Sequence, residues 1–274
     1  MSEWQFDQET AVTVEGDGRW GTRLSAAWNI GDNPNGGYAA ISSVRAMGSL
    51  IDLPDPVSIT TCYLRPGAGD RSAQIDAELV RSGRRSATAT ASMSQDGRER
   101  LRLMAMFADL EAEPAGAAEP PSLSIPSVEL PPPEACRPRA ELAQMQGVEL
   151  PITSRVDVRV DPETAEPGQA GRAEVRGWIR FADGRPPDTF ALPAFADAFP
   201  PAVFGLLGSV GWVPTLELTV HVRRRPVPGW IAARFRTEDL DNGMLVEDGE
   251  LWDSAGHLVA RSRQLALLLM DGSA

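Results

Sequence analysis

Asp197 lies in the segment Phe195-Ala-Asp-Ala-Phe-Pro-Pro201, a carboxylate set among two phenylalanines and two prolines. A carboxylate partly withdrawn from water holds its proton more tightly and becomes a better general base near neutral pH. Asp is equally a favoured helix N-cap, and the segment by itself leaves both roles open. Gln264 falls on the inward face of a closing strand whose inward positions are Ala260, Ser262, Gln264 and Ala266. Its amide can accept from and donate to one water, or it can be a satisfied member of a polar core network. Ser262 on the same face fits either reading. Thr215, after Pro214, offers a hydroxyl to the same water or is an edge-strand threonine. Gly36 and Gly37 follow Pro34-Asn35 at a helix start, where unpaired amides and the helix dipole favour negative charge. Such amides could receive an oxyanion, or the glycines could serve tight helix-to-sheet packing. Arg81, Arg84 and Arg85, with the run Arg223 to Arg225, could meet phosphates or lie exposed on strands.

The elements that would carry these groups come twice. Pro66 and Pro226 each end a strand at the same place in two halves about 160 residues apart, and Gly83 and Gly243 follow matching strand patterns. The Asp96-Gly97 turn recurs at Ala255-Gly256, each leading into a final strand. A repeat of this length implies two copies of one α+β unit sharing an interface. The copies differ on the inward face of that last strand. The first has Leu101, Leu103, Ala105 and Phe107 where the second has Ala260, Ser262, Gln264 and Ala266, so a single site in the second copy is expected.

Within each unit the pattern is strand, helix, then a run of antiparallel strands. The first half predicts a strand at Thr10 to Glu15 and a helix over Asn33 to Leu50, where Tyr38, Ile41, Val44 and Leu50 fall at roughly helical spacing. Alternation then predicts strands around Val57 to Tyr63, Gln74 to Arg81, Ser86 to Gln95 and Leu101 to Leu110. In the second half strands are expected at Arg155 to Val160, Arg172 to Phe181, Thr215 to Arg223, Gly229 to Thr237, Gly243 to Asp253 and His257 to Met270. A second helix is expected from about Asp197 to Leu207, with Asp197 at or next to its N-cap and Pro200 and Pro201 in its first turn. The units are bounded at 1–112 and 151–274. The Pro/Ala-rich stretch 113–150 between them reads as a surface linker, either disordered or an extended crossover lying against the protein.

Composition bounds the rest. A net charge of -12 argues against a general nucleic-acid partner, though not against a local basic patch for one small anion. Cys62 and Cys136 have no metal-like spacing, so neither a disulfide framework nor a metal site is expected. The polar start and the short apolar runs predict no signal peptide and no membrane insertion, and a cytoplasmic location.

Several motifs in order resemble the TesB-like acyl-CoA thioesterases of the thioesterase-like superfamily. Trp28 with Asn35-Gly36-Gly37-Tyr38 resembles that family's Gly-Gly helix start, and Arg81-x-Gly83-Arg84 its R-x-G-R strand start. Phe195 to Phe204 resembles its aspartate-bearing helix segment, Pro214 to Pro226 its threonine-bearing strand, and Leu251 to Leu268 its closing hairpin with a glutamine. The resemblance implies a double hot dog fold, each unit a central helix wrapped by an antiparallel sheet. It implies hydrolysis of acyl-CoA by a water held by Asp197, Thr215 and Gln264. Gly36, Gly37 and Tyr38 would form the oxyanion and substrate-binding pole, and Arg81, Arg84 and Arg85 would meet CoA phosphates. It implies no cofactor and a homodimer or larger assembly. The strand after Thr215 is one residue longer than the family pattern, which predicts a bulge near Arg223 to Arg225 with Glu217 and Thr219 as neighbours. The alternative is a non-catalytic acyl-CoA or acyl-chain binding protein of the same fold. A hot dog dehydratase would need a histidine near an aspartate, and neither His221 nor His257 has that setting. No nucleophile elbow or dinucleotide fingerprint is present.

Overall fold

A computed structural model describes residues 3–113, 121–146, 148–209 and 211–270, without the side chains of 143–146. The first half opens with a short helix, α1 (Gln5–Glu9), where a strand is expected at its C-terminal side; the strand β1 itself is Thr13–Gly16. β2 (Arg19–Leu24) leads to helix α2 (Gly36–Gly48), and β3 (Asp55–Tyr63), β4 (Arg71–Arg81), β5 (Ala87–Gln95) and β6 (Arg98–Ala108) follow. The Pro-rich stretch then yields β7 (Arg137–Pro138) and α3 (Arg139–Gln146). The second half holds β8 (Val156–Val160), α4 (Pro162–Ala165), β9 (Glu174–Phe181), α5 (Ala191–Ala196) and α6 (Phe204–Leu207). It closes with β10 (Thr215–Val222), β11 (Ile231–Asp241), β12 (Met244–Trp252) and β13 (Leu258–Leu267).

These thirteen strands join one sheet in the order β1-β2-β4-β5-β6-β3-β10-β13-β12-β11-β9-β8-β7, and two short strands, Asn29–Ile30 and Asn33–Pro34, pair with each other apart from it. The order reads alike from both sides of the β3–β10 seam, and the seam's register explains why. Ile59 pairs with Val220 and Thr60 with Thr219. A rotation that exchanges positions 160 apart turns the first pair into the second. On the outer face the Thr60 and Thr219 hydroxyls meet at 2.9 Å across this seam.

Alternation is what fixes the faces. Ala87, Ala89, Ala91 and Met93 of β5 are buried, as are Leu101, Leu103, Ala105 and Phe107 of β6. Their tight hairpin places Asp96 and Gly97 at φ 52° and 70°, the left-handed conformations that a two-residue turn needs. Helix α2 starts where Asn35 accepts from the Tyr38 amide, a side-chain N-cap. Nearly all of its residues are buried, small ones included, because it packs on β3 to β6 and against α5 at once.

The expected second helix at Asp197 to Leu207 is not there. The chain is helical earlier, over Ala191–Ala196, with Asp197 as its C-cap at φ -111°, and helical again only at Phe204–Leu207. Pro193 is tolerated in the first turn of α5, whereas Pro200 and Pro201 supply no amide for a helix continuing through Asp197. The lengthened strand is also resolved differently. The irregularity in β10 lies between Thr215 and Glu217, where Thr215 pairs with Ala266 and Glu217 with Leu265. The inserted residue is therefore Leu216, not one of the arginines at 223–225.

The Pro-rich stretch runs over the second half. The carbonyls of Ile125 and Pro131 accept from the indole N–H groups of Trp252 and Trp178 at 3.1 and 2.8 Å, and β7 pairs with β8. Residues 114–120 of this stretch lie outside the described set.

Candidate active site

The N-terminus of α2 meets the C-terminus of α5 in a contact that only glycine allows. A Cβ on Gly37 would stand 2.5 Å from the Pro193 carbonyl oxygen and 2.9 Å from the Asp197 Cβ. This approach delivers Asp197 Oδ2 to the head of α2, where the Gly37 amide donates to it at 2.9 Å and Asn35 Nδ2 at 2.8 Å. Asn35 Nδ2 also donates to the Asp197 carbonyl at 2.7 Å. Withdrawal from water pushes the Asp197 carboxyl up to about 6, against the pull of the Gly37 amide, the Arg139 charge, the Gly36 amide and Asn35.

Asp197 lines a cavity of about 660 Å³ walled by both halves. The first half contributes Leu24, Tyr63 and the 64–67 turn, and the second contributes Phe199, Trp212 and the start of β10. Thr215 and Gln264 line the same cavity, and Gln264 Nε2 donates to Thr215 Oγ1 at 2.8 Å. The Leu216 bulge sits directly beside Thr215, a common device for re-aiming a side chain. Glu217 and Thr219 hydrogen-bond to each other and, through Thr60, belong to the outer-face seam.

Three expected placements fail. The Gly37 amide is not offered to the cavity, because Asp197 Oδ2 already takes it, while Gly36 lines the cavity and its amide also pulls on the Asp197 carboxyl. Tyr38 points into the core, stacked 4.6 Å from the Trp28 ring, with its hydroxyl between the Glu9 carbonyl and the Ser25 amide. Arg81, Arg84 and Arg85 are exposed at the wrong end of the sheet. Arg81 pairs with Thr88, whereas the cavity is reached at Met93, five residues or about 17 Å further along β5. Arg225 is committed to Asp55 at 2.9 Å. Two of the arginines at the cavity, Arg65 and Arg100, are each tied to the other's turn: Arg65 donates to the Glu99 carbonyl and Arg100 to the Pro66 carbonyl.

Two further charged groups line the cavity. Glu247 faces Gln264 across the β12–β13 ladder, just as Ala89 faces Ala105 in the first half. Burial pushes its carboxyl up to about 7, with the Ala202 amide, 2.7 Å from Oε2, pulling back and the Asp197 charge adding to the rise. The asymmetry that singled out Gln264 extends one strand over and would have found it. Arg139 is buried, donates to the Ala198 carbonyl and faces Asp197 electrostatically. Burial lowers its guanidinium to about 10, so it remains a cation at neutral pH. Nothing in its Pro-rich surroundings distinguishes it from a surface arginine. Among the described residues no group of side chains could hold a metal ion, and no helix is long and apolar enough to cross a membrane.

The acyl-CoA thioesterase N-terminal domain family matches residues 24–108, and the acyl-CoA thioesterase C-terminal domain family matches 133–268. A thioesterase II candidate from Thermobifida fusca is 30% identical, with a TM-score of 0.82 over 98% of this chain and 99% of its own. The chain belongs to the TesB-like acyl-CoA thioesterase family. An Alicyclobacillus acidocaldarius protein of unknown function, described as having a hot dog fold, aligns with TM-score 0.82 at 24% identity, covering 98% and 99% of the two chains. The acyl-CoA thioesterase II TesB2 of Mycobacterium marinum is 19% identical at TM-score 0.73, covering 98% of this chain and all of its own. These neighbours give this member of the thioesterase family the hot dog fold, in a large antiparallel sheet with few helices.

Proposed function

We propose that the protein hydrolyses acyl-CoA thioesters to the free acid and CoA, on a scaffold of two tandem hot dog units. The observation that carries this reading is the Asp197 carboxylate. It is held on the amides of α2, faces a cavity shared by both halves, and has Thr215 and Gln264 on the same wall. Asp197 acts as general base on a water that Thr215 and Gln264 orient. The water oxygen bonds to the thioester carbonyl carbon, its proton passes to Asp197, the C–S bond breaks, and the CoA thiolate takes that proton. The largely apolar walls accept the acyl chain, and Arg65 and Arg100 at the turns face the phosphates of CoA. Neither His221 nor His257 lines the cavity, which speaks against the histidine chemistry of a dehydratase.

The test is release of free CoA thiol from a series of acyl-CoAs, from acetyl to palmitoyl, by the wild type and by Asp197→Asn. Asn can still accept from Gly37 and Asn35, so the fold is retained while the base is lost. Wild-type turnover with at least about a 100-fold fall in kcat for the variant is expected. Equal turnover by both proteins would sink the assignment.

A further inference from the structure

Attack on a thioester turns its carbonyl oxygen into an oxyanion, and a hydrolase needs a donor placed where that charge develops. The Gly37 amide at the head of α2 donates to Asp197, and the Gly36 amide pulls on the same carboxyl. Gln264 gives one of its two Nε2 hydrogens to Thr215. One buried hydroxyl on the cavity wall has no partner at all among the described residues. It is the phenol of Tyr63, the last residue of β3. The Thr61 hydroxyl, two residues back, is close enough to act on it but does not meet hydrogen-bond geometry.

Its position is set by the neighbouring helix. The Tyr63 ring lies so close to the head of α2 that a Cβ on Gly36 would be 2.8 Å from Cε1 and 3.0 Å from the hydroxyl oxygen. Gly36 therefore makes room for this ring, next to the amides that hold Asp197. Burial and the nearby Asp197 charge both oppose ionisation of the phenol, so it keeps its proton and stays a donor.

We propose that the Tyr63 hydroxyl donates the hydrogen bond that receives the thioester carbonyl oxygen and stabilises the oxyanion. The proposal rests on the thioesterase reading. The bond involves no proton transfer: as water adds, the carbonyl π pair moves to oxygen and is held by Tyr63; as C–S breaks, it returns. An unpartnered buried hydroxyl contributes nothing to the resting fold, where a phenyl ring would serve as well. A stabilising substitution that removes activity is the expected signature of such a group.

The experiment is Tyr63→Phe, with three readouts on the intact chain: acyl-CoA steady-state kinetics, affinity for an alkyl-CoA thioether that has no carbonyl, and thermal unfolding. Expected are a kcat reduced about 100-fold, unchanged thioether affinity, and a melting temperature equal to or above wild type. A kcat within twofold of wild type overturns the proposal. So does a kcat loss accompanied by weaker thioether binding or a lower melting temperature, which would make Tyr63 a structural residue. If the wild type turns over no acyl-CoA, the thioesterase reading itself has failed, an outcome distinct from turnover that Tyr63→Phe leaves intact.

Discussion

Two carboxyls share the cavity, and their environments order their ionisation. Asp197, on the amides of α2 and facing Arg139, loses its proton first, and its charge then helps to keep Glu247 protonated. With Asp197 as base, kcat/KM rises with pH through about 6, which a pH–rate profile on a saturably bound acyl-CoA checks. The linked effect on stability has the opposite direction. Asp197 binds its proton more tightly folded than unfolded, so its contribution is greatest below about 4 and is lost as pH rises through about 6. At pH 8, Asp197→Asn is expected to unfold at a higher temperature than wild type, by up to about 3 kcal/mol of stability; an unchanged or lower melting point would contradict the raised carboxyl. Gln264 was legible in the sequence because its counterpart in the first half is apolar. Arg139 was not, because a buried cation in a Pro-rich stretch has no local pattern to betray it. Tyr63 enters the sequence reading only as the end of a strand, since the lack of a partner for its hydroxyl is a tertiary fact.

At the scale of elements, the strands were readable because a two-residue period survives in any half-buried sheet. The helices were less so. α2 carries a cap and a spacing of apolar residues, whereas α5 is six residues long and is buried all round, so no polar face marks it. Its end was mistaken for a beginning because Asp before Pro-Pro resembles a cap. The packing of α2 on α5 makes a sharp contrast between two helix glycines. Gly37→Ala drives a methyl into the backbone of Pro193 and Ala194, so a loss of about 2 kcal/mol or more is expected, together with lost activity. Gly48→Ala meets only the Phe107 ring at 3.4 Å and should be neutral or stabilising by up to about 1 kcal/mol. Urea unfolding of both variants decides the matter; equal behaviour would mean the helices can separate without cost.

At the scale of the molecule, a protein of net charge -12 repels an anionic substrate except where the field is locally reversed. The sequence shows the arginines but not which end of a strand faces the cavity, and that is why Arg81, Arg84 and Arg85 were mistaken for the cationic rim. Arg65→Ala is expected to raise KM for acyl-CoA several-fold with little change in kcat, and to blunt the dependence of KM on ionic strength. Joint replacement of Arg84 and Arg85 by Ala should alter neither, and steady-state kinetics at two salt concentrations separate the cases. Gly37 and Asp197 are related by the same 160-residue offset that exchanges the two seam pairs, and they touch. An assembly of two separately encoded, identical halves would have to set a residue there against its own copy. Glycine facing glycine has no acid to offer, and aspartate facing aspartate gives two carboxylates that resist ionising together. A pairing of an amide with an acid therefore requires the two halves to differ in sequence, which this chain achieves by carrying both in one polypeptide.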